Sequence, residues 1–233
     1  MARLDPAKHR RITLALAVLA VILLVTSGPG TRFGIWSLRV GVGLFGGALL
    51  LGLAATGAAV VGFAIPLLRA ASAPVLAAAV LMGSASAAVP LYYVHRVMTV
   101  PYINDITTDT DNPPQFASPK TYASYFGELQ QIGYPDLRPL EIAVPPARAF
   151  ARAAKIATDF GWEVTTLDER AGRIEAVVTT RWFGFKDDVV IRITPVGAGS
   201  RVDMRSKSRY GRSDFGTNAH RIHEFLAAMD ARE

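Results

Sequence analysis

From Val40 to Leu68 the chain carries no charged side chain, and the same is true from Ile12 to Ser27 and from Ala70 to Val94. Inside a bilayer no water is available to bond the backbone, so an apolar run of about 20 residues can cross only as a helix that satisfies its own N–H and C=O groups. Three such runs separated by short gaps predict a membrane anchor of three transmembrane helices, at about 12–27, 40–68 and 70–94, within residues 1–96. The first run follows Lys8-His9-Arg10-Arg11 and alone would suit a secretory signal. Thr26-Ser27-Gly28-Pro29-Gly30 is a poor cleavage site, however, and two further spans follow closely. An uncleaved first helix is the expectation.

The second run is rich in small residues: Gly43 and Gly47 in GxxxG spacing, then Ala54, Gly57, Ala58 and Gly62. In lipid, helices associate through close backbone approach rather than apolar burial, and small residues permit it. The first expectation is packing among the three helices, with homo-oligomerisation through the Gly43/Gly47 face as the alternative. No span holds an ionisable group at mid-depth, which argues against ion or proton transport. Arg69 marks the turn between the second and third spans, and Tyr92-Tyr93 suit a membrane interface.

The net charge of +6 and a pI near 9.8 would ordinarily raise nucleic-acid binding. The distribution argues otherwise. Residues 1–96 hold eight Lys/Arg and one acid, Asp5, whereas residues 97–233 hold seventeen Lys/Arg and eighteen acids. The positive charge thus flanks the apolar spans, where it sets orientation, and no nucleic-acid partner is expected. Arg3, Lys8, Arg10, Arg11 and Arg69 fall on one side of the anchor; Arg32, Arg39 and Arg96 fall on the other. This places the N-terminus in the cytoplasm and residues 97–233 outside it: a multi-pass protein of the inner (plasma) membrane with a periplasmic domain. The absence of cysteine excludes disulfides, thiolate nucleophiles and cysteine-based metal sites.

Residues 97–145 are broken by Pro101, Pro113-Pro114, Pro119, Pro135, Pro139 and Pro145-Pro146, and hold no lasting period. Ile103, Ile106, Phe116, Tyr122, Tyr125, Phe126, Ile132, Tyr134 and Leu137 give this segment too much apolar anchorage for a solvated tether, so it should wrap over the domain C-terminal to it. That domain, residues 146–233, has an α+β pattern. Pro146–Phe160 is a helix with Ala147, Phe150, Ala154, Ala157 and Phe160 on one face. Four strands come next, at Trp162–Leu167, Arg173–Phe183, Lys186–Thr194 and Arg201–Arg209, and a last helix runs from an Asp214 cap to about Ala231. The expected fold is an antiparallel four-stranded meander flanked by two helices on one face. A turn centred at Gly197-Ala198 puts Arg192 opposite Asp203 and Asp188 opposite Lys207.

Several stretches resemble a bacterial family known as domain of unknown function 1499. They are Asn104-Asp105-Ile106-Thr107-Thr108, Asn112-Pro113-Pro114 with Phe116, Tyr134-Pro135-Asp136-Leu137, Gly161-Trp162, Phe183–Val189, and above all Ser206-Lys207-Ser208-Arg209-Tyr210-Gly211-Arg212-Ser213-Asp214-Phe215-Gly216-Thr217-Asn218. The resemblance covers roughly 101–230 in order. It implies a shared fold and a cell-envelope setting, and no activity or catalytic residue.

Among candidate chemistries, a calcium loop starting at Asp109 fails at Pro114 and Lys120, the positions of its turn glycine and its bidentate acid. His220, His223 and Glu224 share a helix face but lack a third zinc ligand, so no metal or cofactor is expected. Arg205, Arg209 and Arg212, with Ser206, Ser213, Asp214 and Asn218 at the entry to the last helix, form the candidate anion site. Guanidinium groups and free helix N–H groups both favour negative charge. The bland alternative is that these arginines pair with acids of the wrapping segment. The expected function is a non-catalytic envelope protein that binds an anionic ligand or a protein partner. The alternatives are an envelope hydrolase using Asp187 or Asp188 with Arg192 and the 206–214 motif, and a structural subunit of a membrane complex.

Overall fold

The third long helix begins where Pro66 forces a break. In the computed structural model, which describes residues 5–231, Ile65 is extended (φ −97°, ψ 111°), as a residue before proline must be, and Pro66 opens the next helix. The three long helices are α1 (Pro6–Arg32), α2 (Leu38–Ala64) and α3 (Pro66–Thr99), each long and apolar enough to cross a membrane. The turn between α2 and α3 therefore lies at Ile65, four residues before the Arg69 expected from charge alone. Arg3, one of the basic residues used for orientation, lies outside the described residues. Asp5 caps α1, its Oδ1 accepting the Ala7 N–H at 2.9 Å and the Lys8 N–H at 3.3 Å.

The chain divides into two units. The first holds the residues up to His95 together with the tetrapeptide Arg181–Gly184. Its interior is made of small side chains: Ala17, Ala55, Ala59 and Ala79 around Leu76. α2 and α3 approach closely at Gly52 and Gly83, where a Cβ on either would fall 2.6–2.7 Å from the carbonyl oxygen of the other. Gly43, by contrast, faces open space, and a Cβ on Gly47 would meet only Leu23, at 3.2 Å. From the tetrapeptide, Trp182 Nε1 donates to Ser27 Oγ at 3.4 Å and Phe183 lies edge-on to Phe45.

The second unit runs from Arg96 to Thr180 and from Phe185 onward. It is built on a six-stranded antiparallel sheet of β1 (Asp105–Thr107), β2 (Leu140–Ile142), β3 (Glu163–Asp168), β4 (Arg173–Thr179), β5 (Lys186–Val196) and β6 (Gly199–Ser208). The strand order is β1-β6-β5-β4-β3, with β2 also beside β6. The expected four-stranded meander is therefore only part of the sheet. Its edge at β6 is covered by β1, which pairs with Arg205–Lys207, and by β2, which pairs with Ser200–Val202. Both added strands are three residues long, too short to show an alternation, and pairing with an otherwise open edge is what makes them strands. Within the meander, Val196 and Gly199 pair across the Gly197-Ala198 turn, which sets Arg192 opposite Asp203 and Asp188 opposite Lys207.

The helices of this unit are α4 (Ser124–Gly133), α5 (Pro146–Asp159) and α6 (Thr217–Asp230). α5 and α6 lie on one face of the sheet. Phe150, Ala153 and Ala157 of α5 and Ala219, Ile222, Phe225 and Met229 of α6 are buried against Ile174, Val189, Ile191, Val202 and Met204. Trp162 stacks on Phe225 with ring centroids 5.5 Å apart. The opposite face is also closed to solvent at its centre, since Val190, Asp203 and Arg205 are all fully buried there.

Gly83→Leu should destabilise the first unit, because overpacking at a backbone contact costs about 1–3 kcal/mol. Thermal unfolding of the purified protein in detergent should show a lower midpoint for this variant and an unchanged one for Gly43→Ala. Equal midpoints for Gly83→Leu and the parent would contradict the close approach.

Candidate functional site

Successive residues of a strand point to opposite faces, and this alternation divides the polar end of β5 and β6 into two separate networks. On the face away from α5 and α6, residues 104–122 cross the sheet and bring acids and carbonyls to its arginines. Arg205 is fully buried and forks onto Asp105, itself fully buried, with Nε–Oδ1 and Nη2–Oδ2 distances of 2.9 Å each. Its guanidinium also donates to the carbonyls of Lys120 at 3.0 Å and Pro114 at 3.4 Å, and lies 5.3 Å from the ring centres of both Phe116 and Tyr122. Lys207 reaches the same Asp105 carboxylate at 2.6 Å. Burial, and then the charge of Asp105, push the Tyr122 phenol up against the opposing pull of Arg205.

Two further carboxylates organise the rest of this face. Asp203, fully buried, accepts from Arg192, Arg201 and Thr108, and Asp109 takes the other ends of the two arginines at 3.1 and 2.9 Å. Hydrogen bonding to Asp203 raises the Arg201 pKa further above its ordinary value. Asp188 receives Lys120 Nζ and two donors of Arg209, Nε at 3.0 Å and Nη2 at 2.7 Å. Burial alone would raise its carboxyl, but the hydrogen bonds and charges of Arg209 and Lys120 outweigh that and hold it below the usual range. Asp188, Lys120 and Arg209 line an open cavity of about 180 Å³ with Phe116 and Glu175.

On the face toward α6, Ser206 donates to Asn218 Oδ1 at 2.8 Å. Arg221 bonds Ser206 and Asn218 and pairs with Asp187 at 2.6 Å. Asp214 holds the entry of the helix, its carboxylate accepting the N–H of Gly216 at 2.9 Å and of Asn218 at 2.7 Å. Burial raises the Asp214 pKa, while these two hydrogen bonds oppose the rise. Gly216 has φ +80° and sits against the Arg96 guanidinium, whose Nε donates to the Phe215 carbonyl at 3.0 Å; a side chain here would be strained and obstructed. Beside it, burial, and then the charge of Asp214, push the Tyr134 phenol up to about 12 against the opposing pull of Arg96.

The seven candidate anion residues are thus distributed over both faces. Ser206, Asp214 and Asn218 meet at the start of α6. Arg205 lies on the other face, fully enclosed. Ser213 Oγ accepts the Phe215 N–H at 3.3 Å. Arg209, with a side chain 40% exposed, and the exposed Arg212 are the two guanidinium groups that reach solvent. The hydrolase grouping is dispersed as well: Asp187 turns to Arg221, Asp188 to Arg209 and Lys120, and Arg192 to Asp109 and Asp203. His220 pairs with Glu224 at 3.2 Å and His223 with Asp136 at 3.6 Å. Among the described residues no three His, Asp or Glu groups are placed to hold a metal ion. Sequence reasoning missed Lys120 as a member of the site, because nothing near it in the chain signals a partner on β5.

Asp105→Ala should cost about 3–5 kcal/mol, since it leaves Arg205 as an unpaired buried charge, whereas Asp105→Leu combined with Arg205→Met should cost less than the single change. Thermal unfolding of the three proteins in one detergent checks the order; a double variant less stable than Asp105→Ala would refute it. The lowered Asp188 pKa carries a pH dependence. Its stabilisation is fully present above the unfolded value of about 3.9 and is lost as pH falls through the lower folded value. Asp188→Asn should therefore lose less thermal stability than the parent between about pH 5 and pH 3.

No curated protein matches the chain. The model of a family described as "Protein of unknown function (DUF1499)" matches residues 105–229, more than half of the sequence, and the matched span runs from β1 to the last turn of α6. The chain belongs to this family of unknown function, and carries its domain behind three helices long and apolar enough to span a membrane.

Proposed function

We propose that this is a non-catalytic protein of the bacterial cell envelope, anchored in the inner membrane, whose C-terminal domain stands outside the cytoplasm and binds an anionic ligand through Arg209, Arg212 and Lys120. One observation carries the reading. Lys120 and Arg209 share the carboxylate of Asp188 beside an open cavity, while Arg212, three residues beyond Arg209 in the chain, is exposed with no ion-pair partner among the described residues. Arg209 and Lys120 line that cavity together with Asp188 and Glu175, and cationic groups at such an opening can receive phosphate or carboxylate oxygens. Two supports are independent of it. The Lys/Arg balance around the spans favours a cytoplasmic N-terminus. Asp105, Asp187, Asp188 and Asp203 are each occupied by cations, which suits a binding surface better than acid–base chemistry.

Calorimetric titration of the detergent-solubilised full chain with inorganic pyrophosphate tests the site. Binding should weaken as salt rises, and the Arg209→Ala/Arg212→Ala double variant should bind at least about tenfold less tightly, since hydrogen bonds to charged groups contribute about 1.5–3 kcal/mol each. Equal affinity in parent and variant would remove this site. A reporter active only outside the cytoplasm, fused after the last residue, should be active; a silent fusion would reverse the orientation.

A further inference from the structure

α4 is amphipathic in a sense that leaves apolar side chains on its outer face. Its inner face is fully engaged: Phe126 packs on the core, Gly127 lies against Thr110, and Gln130 bonds both backbone groups of Thr107, its Oε1 accepting the N–H at 2.9 Å and its Nε2 donating to the carbonyl at 2.5 Å. The outer face carries Tyr125, Leu129 and Ile132, spaced four and three residues apart and exposed by 58%, 39% and 81%. Glu128, exposed on the same side between Tyr125 and Ile132, is the single charged residue of the helix. A face of three large apolar side chains with one acid calls for a mainly apolar occupant that leaves that carboxylate at a polar boundary.

Chain continuity identifies that occupant. α3, the third span, ends at Thr99, and two residues later the ring of Pro101 fills the space beside Gly133, where a Cβ would collide with it. The C-terminal end of α4 is thereby fixed within a few residues of the point where the chain leaves α3, and all of these residues belong to the second unit. Tyr102, next in the chain, is 60% exposed and adds the kind of aromatic side chain that favours the headgroup level. We propose that α4 lies in the membrane–water interface beside the exit of the third span, with Tyr125, Leu129, Ile132 and Tyr102 inserted at the boundary of headgroups and acyl chains. Because the helix is nearly uncharged, the attachment is apolar rather than electrostatic and does not require anionic lipid. α4 then acts as a second, lateral hold on the bilayer, independent of the anion site proposed above.

The chain has no cysteine, so single cysteines can be introduced and spin-labelled with no native thiol to remove first. The full-length protein carrying Ile132→Cys or Tyr125→Cys is labelled and reconstituted into phosphatidylcholine vesicles. Val196→Cys, at the far end of β5 and 41% exposed, serves as the aqueous control. Collision with oxygen and with a water-soluble nickel complex is then measured. The expected result is several-fold higher oxygen than nickel accessibility at positions 132 and 125, with the reverse at 196, and no change when anionic lipid is added. Nickel accessibility at 132 and 125 equal to that at 196 would overturn the proposal. So would spin–spin broadening at these positions, which would make a second copy of the chain the occupant, or exclusion of both reagents, which would show the face packed against protein rather than lipid.

Discussion

A guanidinium group sealed from water beneath a loop is the constraint around which the second unit is arranged. Transferring such an ion from water costs several kcal/mol even after relaxation, and only a well-aligned counter-charge with additional hydrogen bonds offsets it. Arg205 receives all of these from one stretch of chain: the forked carboxylate of Asp105, the carbonyls of Pro114 and Lys120, and the rings of Phe116 and Tyr122. Asp105 can occupy its place only because β1 is paired to β6 in register, with Asp105 opposite Lys207. The course of residues 104–122 over the sheet, the sixth strand and the second cation on Asp105 are thus one arrangement.

The same arrangement divides the polar end of the sheet. Groups that would have looked chemically active in an open cleft, two adjacent aspartates with arginines nearby, are divided by strand alternation and neutralised on opposite faces. The guanidinium groups left at the exposed fringe are Arg209, with a side chain 40% exposed, and Arg212 in the loop after β6.

Much of this was legible in the sequence, and the legible parts share a cause. The charge-free runs identify the three helices long and apolar enough to cross a membrane, because hydrocarbon disfavours charge. Val189, Ile191 and Ile193 against Val202 and Met204, around a two-residue Gly-Ala turn, fix the β5–β6 register locally. What stayed hidden depends on residues distant in the chain. β1 and β2 are too short to show a period, and the partner of Arg205 lies 100 residues earlier. Correct register led to one of the two cross-strand ion pairs, Arg192 with Asp203, and not to the other. Asp188 does stand opposite Lys207, yet Lys207 turns to Asp105 and Asp188 to Lys120 and Arg209, because a third segment of chain offers better-placed charges. At the break between α2 and α3, the proline rule was the stronger signal and the basic residue the weaker one.

The separation of Asp105 from Arg205 also bears on how the domain comes into being. During synthesis the wrapping segment emerges first, when neither its buried acid nor its three-residue strand has anything to pair with. Contacts this distant along the chain are slow to form, because the loop must close before they contribute. β5 and β6, joined by a two-residue turn, can assemble as a hairpin on their own, and only that hairpin offers an edge and a guanidinium to receive the segment. The part of the domain made first is therefore among the last to be fixed, and the C-terminal strand is the template that decides when.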